Sequence, residues 1–223
     1  MRQKLIKVIT RLYSTEQDKL SKLKEQGQRL RAKPDWLWHE LLVSFATWGN
    51  SRGWHGLIGN QENYQQITYE ALDLLTDEDR KQRLINVCRA AKIRMPDRKA
   101  KYLNHNFEKI RAKGGVVTLG QEIMARQNET EICKQLKVFM GIGDKYARNI
   151  MMDLADPRFS HKIAIDHRIK KVLRLLAIQG SYLEQEQYLL DLISDINMEG
   201  LDGWSLDRLM YWYTDEILEA LSI

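Results

Sequence analysis

Residues 136–174 read LKVFMGIGDKYARNIMMDLADPRFSHKIAIDHRIKKVLR, and two short motifs in this stretch govern how the rest of the chain is read. Just upstream, Asn128 followed three residues later by Glu131 has the form of a helix N-cap and capping box. Apolar Ile132, Leu136 and Phe139 recur at helical spacing until Gly141-Ile142-Gly143 stops the helix. Asp144 then stands where a second helix begins, with Lys145 in its first turn and Ala147, Ile150, Met151 and Leu154 continuing it. The spacing predicts helix, tight glycine hairpin, helix over 128–153. Two glycines flanking one aliphatic residue allow the hairpin N–H groups to approach a phosphate closely while Ile142 plugs into the core. The second motif is Ile-Ala-Ile-Asp-His-Arg at 163–168, whose Asp166 precedes a helix predicted from Arg168 to Ala177.

The family resemblance set out below implies a chemistry that a lysine and a carboxylate could share. Cleaving a base from deoxyribose passes through a cationic sugar, which a nearby carboxylate stabilises. An amine that attacks C1′ forms a Schiff base, which permits β-elimination of the 3′ phosphate. Lys145 is expected to be partly buried at its helix start, a setting that suits a nucleophilic amine. Each residue also has a plain reading, Lys145 as a solvated helix lysine and Asp166 as an N-cap. For Asp166 the two readings are compatible, because a capping carboxylate is held in one direction.

G-I-G-D-K-Y-A, followed 21 residues after Lys145 by the aspartate of I-A-I-D-H-R-I-K-K-V, resembles the signature of the helix-hairpin-helix (HhH-GPD) DNA glycosylase superfamily, endonuclease III and 8-oxoguanine glycosylase-like. The resemblance implies Lys145 as the attacking nucleophile of the bifunctional members and Asp166 as the assisting aspartate. It implies phosphate contacts from Gly141, Ile142, Gly143 and Lys145, with His167 and Lys170 as further DNA contacts. FATWGNSRGWH at 45–55 is similar to the 8-oxoguanine glycosylase pattern. That puts Asn50 in the gap left by an everted base and His55 toward the opposite strand, with Asn50 as a helix C-cap the equal alternative. Base-pocket candidates by the same resemblance are Trp54, Asp207 and Tyr211. The sequence departs from the superfamily in two places: Met140 replaces the usual proline before the first hairpin glycine, and His167-Arg168 follow the aspartate. Members with an iron–sulfur cluster use four cysteines near the C-terminus, whereas this chain has two, Cys88 and Cys133. No cofactor and no metal is expected, and both cysteines are expected to be reduced and buried.

The fold expected is all-α, about ten helices in two lobes, with the active site in the interlobe cleft and Lys145 opposite Asp166. Residues 1–34 would pack with the C-terminal lobe, 35–153 would form a helical barrel-like lobe ending in the helix-hairpin-helix, and 154–223 would carry the aspartate. Residues 2–33 read as one or two basic helices broken near Ser14, and helices are predicted over 62–75 and 77–92. Thr118 is expected to cap a short helix, Gly200 and Gly203 to break one, and the last helix to start at Trp204. The basic residues Arg98, Lys99, Lys101, Lys109, Arg111 and Lys113 do not share a face and are expected at a solvated surface.

A net charge of +5 and a sequence pI of about 9.1 favour a polyanionic partner without requiring one. The basic N-terminus lacks a secretory pattern, so the chain is expected not to be secreted, in the nucleoid-containing cytoplasm or the nucleus, without membrane association and as a monomer. The activity implied is removal of a damaged base, an oxidised one among the candidates, from double-stranded DNA, with AP lyase nicking at the abasic site. The alternatives are a monofunctional glycosylase, a non-catalytic helix-hairpin-helix DNA-binding protein, and a helical scaffold whose Gly-Ile-Gly is only a turn.

Overall fold

Leu5, Ile9, Leu12 and Leu20 recur at helical spacing and are buried along one face of a single 30-residue helix, α1 (Arg2–Arg31). The break expected near Ser14 does not occur. The Ser14 hydroxyl donates backward to the Thr10 carbonyl at 2.9 Å, and Thr15 does the same to Arg11 and Leu12. Hydroxyls that bond within the helix in this way do not cap a new one.

The computed structural model describes residues 1–47 and 51–222, and among these every regular element is helical. The chain divides into two compact units. The first, residues 32–150, is one continuous segment. It contains α2 (Trp36–Thr47), α3 (Arg52–Leu57), α4 (Gln61–Gln65), α5 (Tyr69–Asp73), α6 (Asp77–Ala90), α7 (Pro96–Ala112), α8 (Val116–Met124), α9 (Glu129–Leu136) and most of α10 (Asp144–Asp153). The second unit joins residues 1–31 to 151–223. It holds α1, the end of α10, a 3-10 turn (Pro157–Phe159), α11 (His167–Leu175), α12 (Tyr182–Ile196), α13 (Gly203–Trp212) and α14 (Thr214–Ser222).

Helix ends account for the differences from the expected boundaries. The helix predicted over 62–75 is two, because the Thr68 hydroxyl accepts the Ala71 N–H and caps a fresh start. Thr118 lies inside α8, which begins at Val116 after Gly114 and Gly115, both at positive φ. Gly203 opens α13 behind its Asp202 cap, and α12 has already ended at left-handed Asn197. The segment from Trp204 onward is divided at Tyr213 into α13 and α14. The capping box at Ser181 and Glu184 is present with both of its bonds.

In the continuous unit the core is built around Trp38. Its ring meets Tyr69 and Phe107 edge-on, and its indole N–H donates to the Ile67 carbonyl at 2.8 Å. Trp36 is buried as well. Two cations lie inside this unit. Arg80 joins α6 to α7 through Asn104 and Glu108, with its guanidinium 4.5 Å from the Phe107 ring centre. Lys99, expected at a solvated surface, is fully buried and donates from Nζ to the Phe45 carbonyl at 2.7 Å. That carbonyl is among the last of α2, which have no partner within their own helix.

Cys88 is buried, which pushes its thiol up to about 12, while Cys133 is only half-buried. Burial also pushes the Lys99 amine down to about 8. The cost of enclosing the ammonium is therefore full below about pH 8 and fades as pH rises toward the unfolded value of about 10.4. Wild-type stability should rise between those limits relative to Lys99→Met, whose stability lacks this term. Urea titrations of both proteins at about pH 7 and about pH 9.5 check it.

Candidate functional site

The helix-hairpin-helix is formed by α9, residues 137–143 and α10, all in the continuous unit apart from the end of α10. Asn128 caps α9 by accepting the Glu131 N–H at 3.0 Å. The turn that follows is closed by Phe139 N–H to Leu136 carbonyl at 3.2 Å and Ile142 N–H to Phe139 carbonyl at 3.1 Å. Ile142 is buried, as the hairpin pattern requires.

The two hairpin glycines differ in what they tolerate. Gly141 has φ +86°, and a Cβ there would lie 2.7 Å from the Phe45 ring. A Cβ on Gly143 would meet nothing within 4 Å. The first glycine is therefore required by the fold, and the second leaves an open approach to the backbone. Lys145 is the second residue of α10, and it is exposed rather than partly buried. Asp144 beside it is held by Lys137 at 2.6 Å.

Met140, just before the first hairpin glycine, has an N–H to satisfy. The buried side chain of Asn106 on α7 accepts that N–H at 2.8 Å and donates to the Met140 carbonyl at 3.1 Å. Sequence reading missed Asn106. The available signal was a polar residue set among Leu103, Phe107 and Ile110 on the buried face of α7.

The aspartate strip lies in the second unit. Asp166 caps α11 with one oxygen, Oδ1 accepting the Arg168 N–H at 2.8 Å and the Ile169 N–H at 3.0 Å. Its Oδ2 is 3.6 Å from Nδ1 of exposed His167. The three residues before it are buried and form neither helix nor strand, so their N–H groups depend on side chains. Ile163 N–H donates to Glu186 at 3.1 Å, Ala164 N–H to Asp207 at 2.8 Å, and Ile165 N–H to the Tyr182 hydroxyl at 3.2 Å. The Tyr182 hydroxyl in turn donates to the Ile163 carbonyl at 2.5 Å.

Asp207, expected as a pocket carboxylate to meet a flipped base, instead holds the aspartate strip in this structure. It is 3% exposed, and its Oδ1 is taken by the Ala164 N–H. Burial pushes its carboxyl up to about 6, against the pull of the Arg208 guanidinium and the Ala164 N–H. Arg208 also binds Asp153 at 2.7 Å. Glu186 and Tyr182 went unread because a half-polar helix such as α12 does not announce which carboxylate turns inward.

Tyr211 is 44% exposed, with the Arg168 guanidinium 4.3 Å from its ring centre. The second unit therefore holds Asp166, His167, Lys170, Asp207 and Tyr211, with Lys170 exposed on α11. The continuous unit holds Gly141, Ile142, Gly143, Lys145, Trp54 and His55. Trp54 is 39% exposed on α3 and meets the His55 ring edge-on. Asn50, like Trp48 and Gly49, lies outside the described residues. Among the described residues no three His, Cys, Asp or Glu side chains converge as a metal site would need.

The architecture, all helical with a glycine hairpin leading into α10, is that of a DNA glycosylase fold. The chain matches the crystal structure of Methanocaldococcus jannaschii 8-oxoguanine glycosylase/lyase in complex with a 15mer DNA containing 8-oxoguanine. The TM-score is 0.65 at 21% identity, covering 94% of this chain and 95% of that one. A second structure, the 8-oxoguanine DNA glycosylase of the same organism, gives a TM-score of 0.66 at 21% identity, over 95% of this chain and 93% of that one. No protein-family profile matches the chain, and no curated protein matches it by sequence. The likeness establishes the fold.

Two expected outcomes follow from this geometry. Asp207→Leu leaves the Ala164 N–H without an acceptor and should cost about 1–3 kcal/mol, whereas Asp207→Asn keeps an acceptor. Because the folded-state pKa is raised, the folded protein binds more protons than the unfolded chain between about pH 4 and about pH 6, so wild-type stability falls over that range. The Asn variant should lack this part of the pH dependence in urea titrations at about pH 4.5 and about pH 7. Separately, Gly141→Ala should lower stability by more than about 1 kcal/mol, and Gly143→Ala should change it by no more than about 0.5 kcal/mol. Thermal denaturation of the two variants side by side distinguishes them.

Proposed function

We propose that this protein is a base-excision DNA glycosylase with associated lyase activity, acting on duplex DNA that carries a damaged base. The observation that carries the reading is an exposed lysine, Lys145, in the first turn of the helix entered through the Gly-Ile-Gly hairpin. The fold it shares with a glycosylase/lyase supports the reading.

Lys145 would attack C1′ of the damaged nucleotide as the bond to the base breaks. The resulting Schiff base would make the 2′ proton acidic, and its removal would expel the 3′ phosphate by β-elimination. Asp166 would stabilise the cationic sugar. Its Oδ1 is committed to the cap of α11, which fixes the carboxylate in direction, while Oδ2 lies 3.6 Å from Nδ1 of His167. The hairpin N–H groups, approached over open Gly143, would hold a phosphate, so binding should weaken steeply with salt. A flipped base costs a few kcal/mol of unstacking, least when it is damaged, and this would contribute selectivity. Oxidised guanine is the first substrate to test, on the 45–55 pattern and on the lesion in the DNA of the matched structure.

Borohydride trapping tests the proposal on duplexes containing 8-oxoguanine, thymine glycol, uracil, hypoxanthine or an abasic site. Wild type should give a covalent adduct that Lys145→Gln abolishes. Asp166→Asn, which keeps a favoured cap residue, should leave the melting temperature nearly unchanged while slowing trapping by about 100-fold or more. Base release with no adduct would assign a monofunctional glycosylase. Tight binding with neither would leave a DNA-binding protein.

A further inference from the structure

Lys99, Asn106 and Lys109 lie on α7 at intervals of seven and three residues, which places them along one stripe of the helix. Each ends on a backbone group of another segment. Lys99 Nζ donates to the Phe45 carbonyl, Asn106 holds both peptide groups of Met140, and Lys109 Nζ donates to the Val138 carbonyl at 2.9 Å. Tyr102 lies on the same side, its ring 3.0 Å from where a Gly141 Cβ would be.

Asn106 stands apart because it is fully buried and its amide mimics a peptide, giving one acceptor and one donor to a single residue. The N–H groups of Phe139 and Ile142 are already bound within the turn. Met140, between them, relies on Asn106 of α7, a fully enclosed side chain whose truncation removes both bonds at once.

We propose that Asn106 is a positioning residue for the site: it locks the hairpin to α7 so that open Gly143 and the start of α10, with Lys145, are presented in one fixed arrangement. The functional half of this inference rests on the glycosylase reading above. The side chain touches no substrate. It acts through Met140, at a position where a proline would present no N–H to bind.

Three variants test it: Asn106→Ala, Asn106→Asp, and Asn106→Ala combined with Met140→Pro. In the free protein, Asn106→Ala should speed hydrogen exchange at the amides of 139–142 by about tenfold or more while the amides in the middle of α7 keep their protection. With an abasic-site duplex well below the melting temperature, it should raise Kd and slow borohydride trapping, each by about tenfold or more. Asn106→Asp keeps the acceptor but sets an enclosed carboxylate oxygen against the Met140 carbonyl, and should do no better than Asn106→Ala. Adding Met140→Pro removes the orphaned N–H and should recover a large part of the affinity and trapping rate.

Unchanged exchange in Asn106→Ala would overturn the anchoring. Faster exchange with wild-type affinity and trapping, or a lowered melting temperature alone, would overturn the positioning role and leave a purely structural one. If wild type neither binds nor traps any duplex, the glycosylase reading has failed. In that case the exchange measurement still decides whether Asn106 holds the hairpin.

Discussion

A peptide group that is neither helical nor in a sheet, and is shut off from water, must be satisfied by a side chain. Buried residues 163–165 are in that position, and half-buried Met140 shares their dependence on a side chain. For the strip, the acceptors are two buried carboxylates and a tyrosine hydroxyl, brought in from α12 and α13. An ionised carboxylate accepts more strongly than a neutral oxygen, but enclosing it is costly. At Asp207 that conflict raises the carboxyl pKa, and Arg208 offsets part of the cost. At Met140 a neutral amide suffices, because it serves N–H and carbonyl together.

The second unit repeats the device nearby. Buried Asp156 caps the 3-10 turn with its side chain and is paired with both Arg158 and Arg31. Arg208 likewise lies between Asp153 and Asp207. Its interior is thus held by directional polar contacts as well as by apolar packing. Such contacts define one arrangement more sharply than hydrocarbon burial can, since a buried partner left unpaired is penalised more than an apolar residue repacked. This suits a carboxylate such as Asp166, whose orientation is fixed by its own cap bonds.

Local signals in the sequence carried the reading far. The hairpin, the caps at Asn128, Thr76, Asp166 and Ser181, and the all-helical character follow from residue types a few positions apart. Lys145 and Asp166 stood out as candidates for the same reason, each lying inside a compact motif. Ser14 and Thr118 misled because a hydroxyl suits a helix interior as well as a start, and only tertiary packing chooses between them. The supports of the site were out of reach. Ile163 is bound from 23 residues away, Ala164 from 43 and Met140 from 34, and nothing in a linear pattern pairs those positions. Lys99 was misplaced on the same account, since a charged residue looks solvated until its partner is known.

The division of the chain into a continuous unit and one assembled from two separated segments also bears on how the protein is made. Synthesis delivers α1 well before α12, α13 and α14, yet these are the helices that cover its apolar stripe. Residues 32–150 form their unit from one unbroken run of sequence, and such a unit is free to fold while the remainder is still being translated. The unit bearing Asp166 must then be the later of the two to close. Until it does, Leu5, Ile9, Leu12 and Leu20 form an uncovered apolar face on the nascent chain, of the kind that chaperones engage.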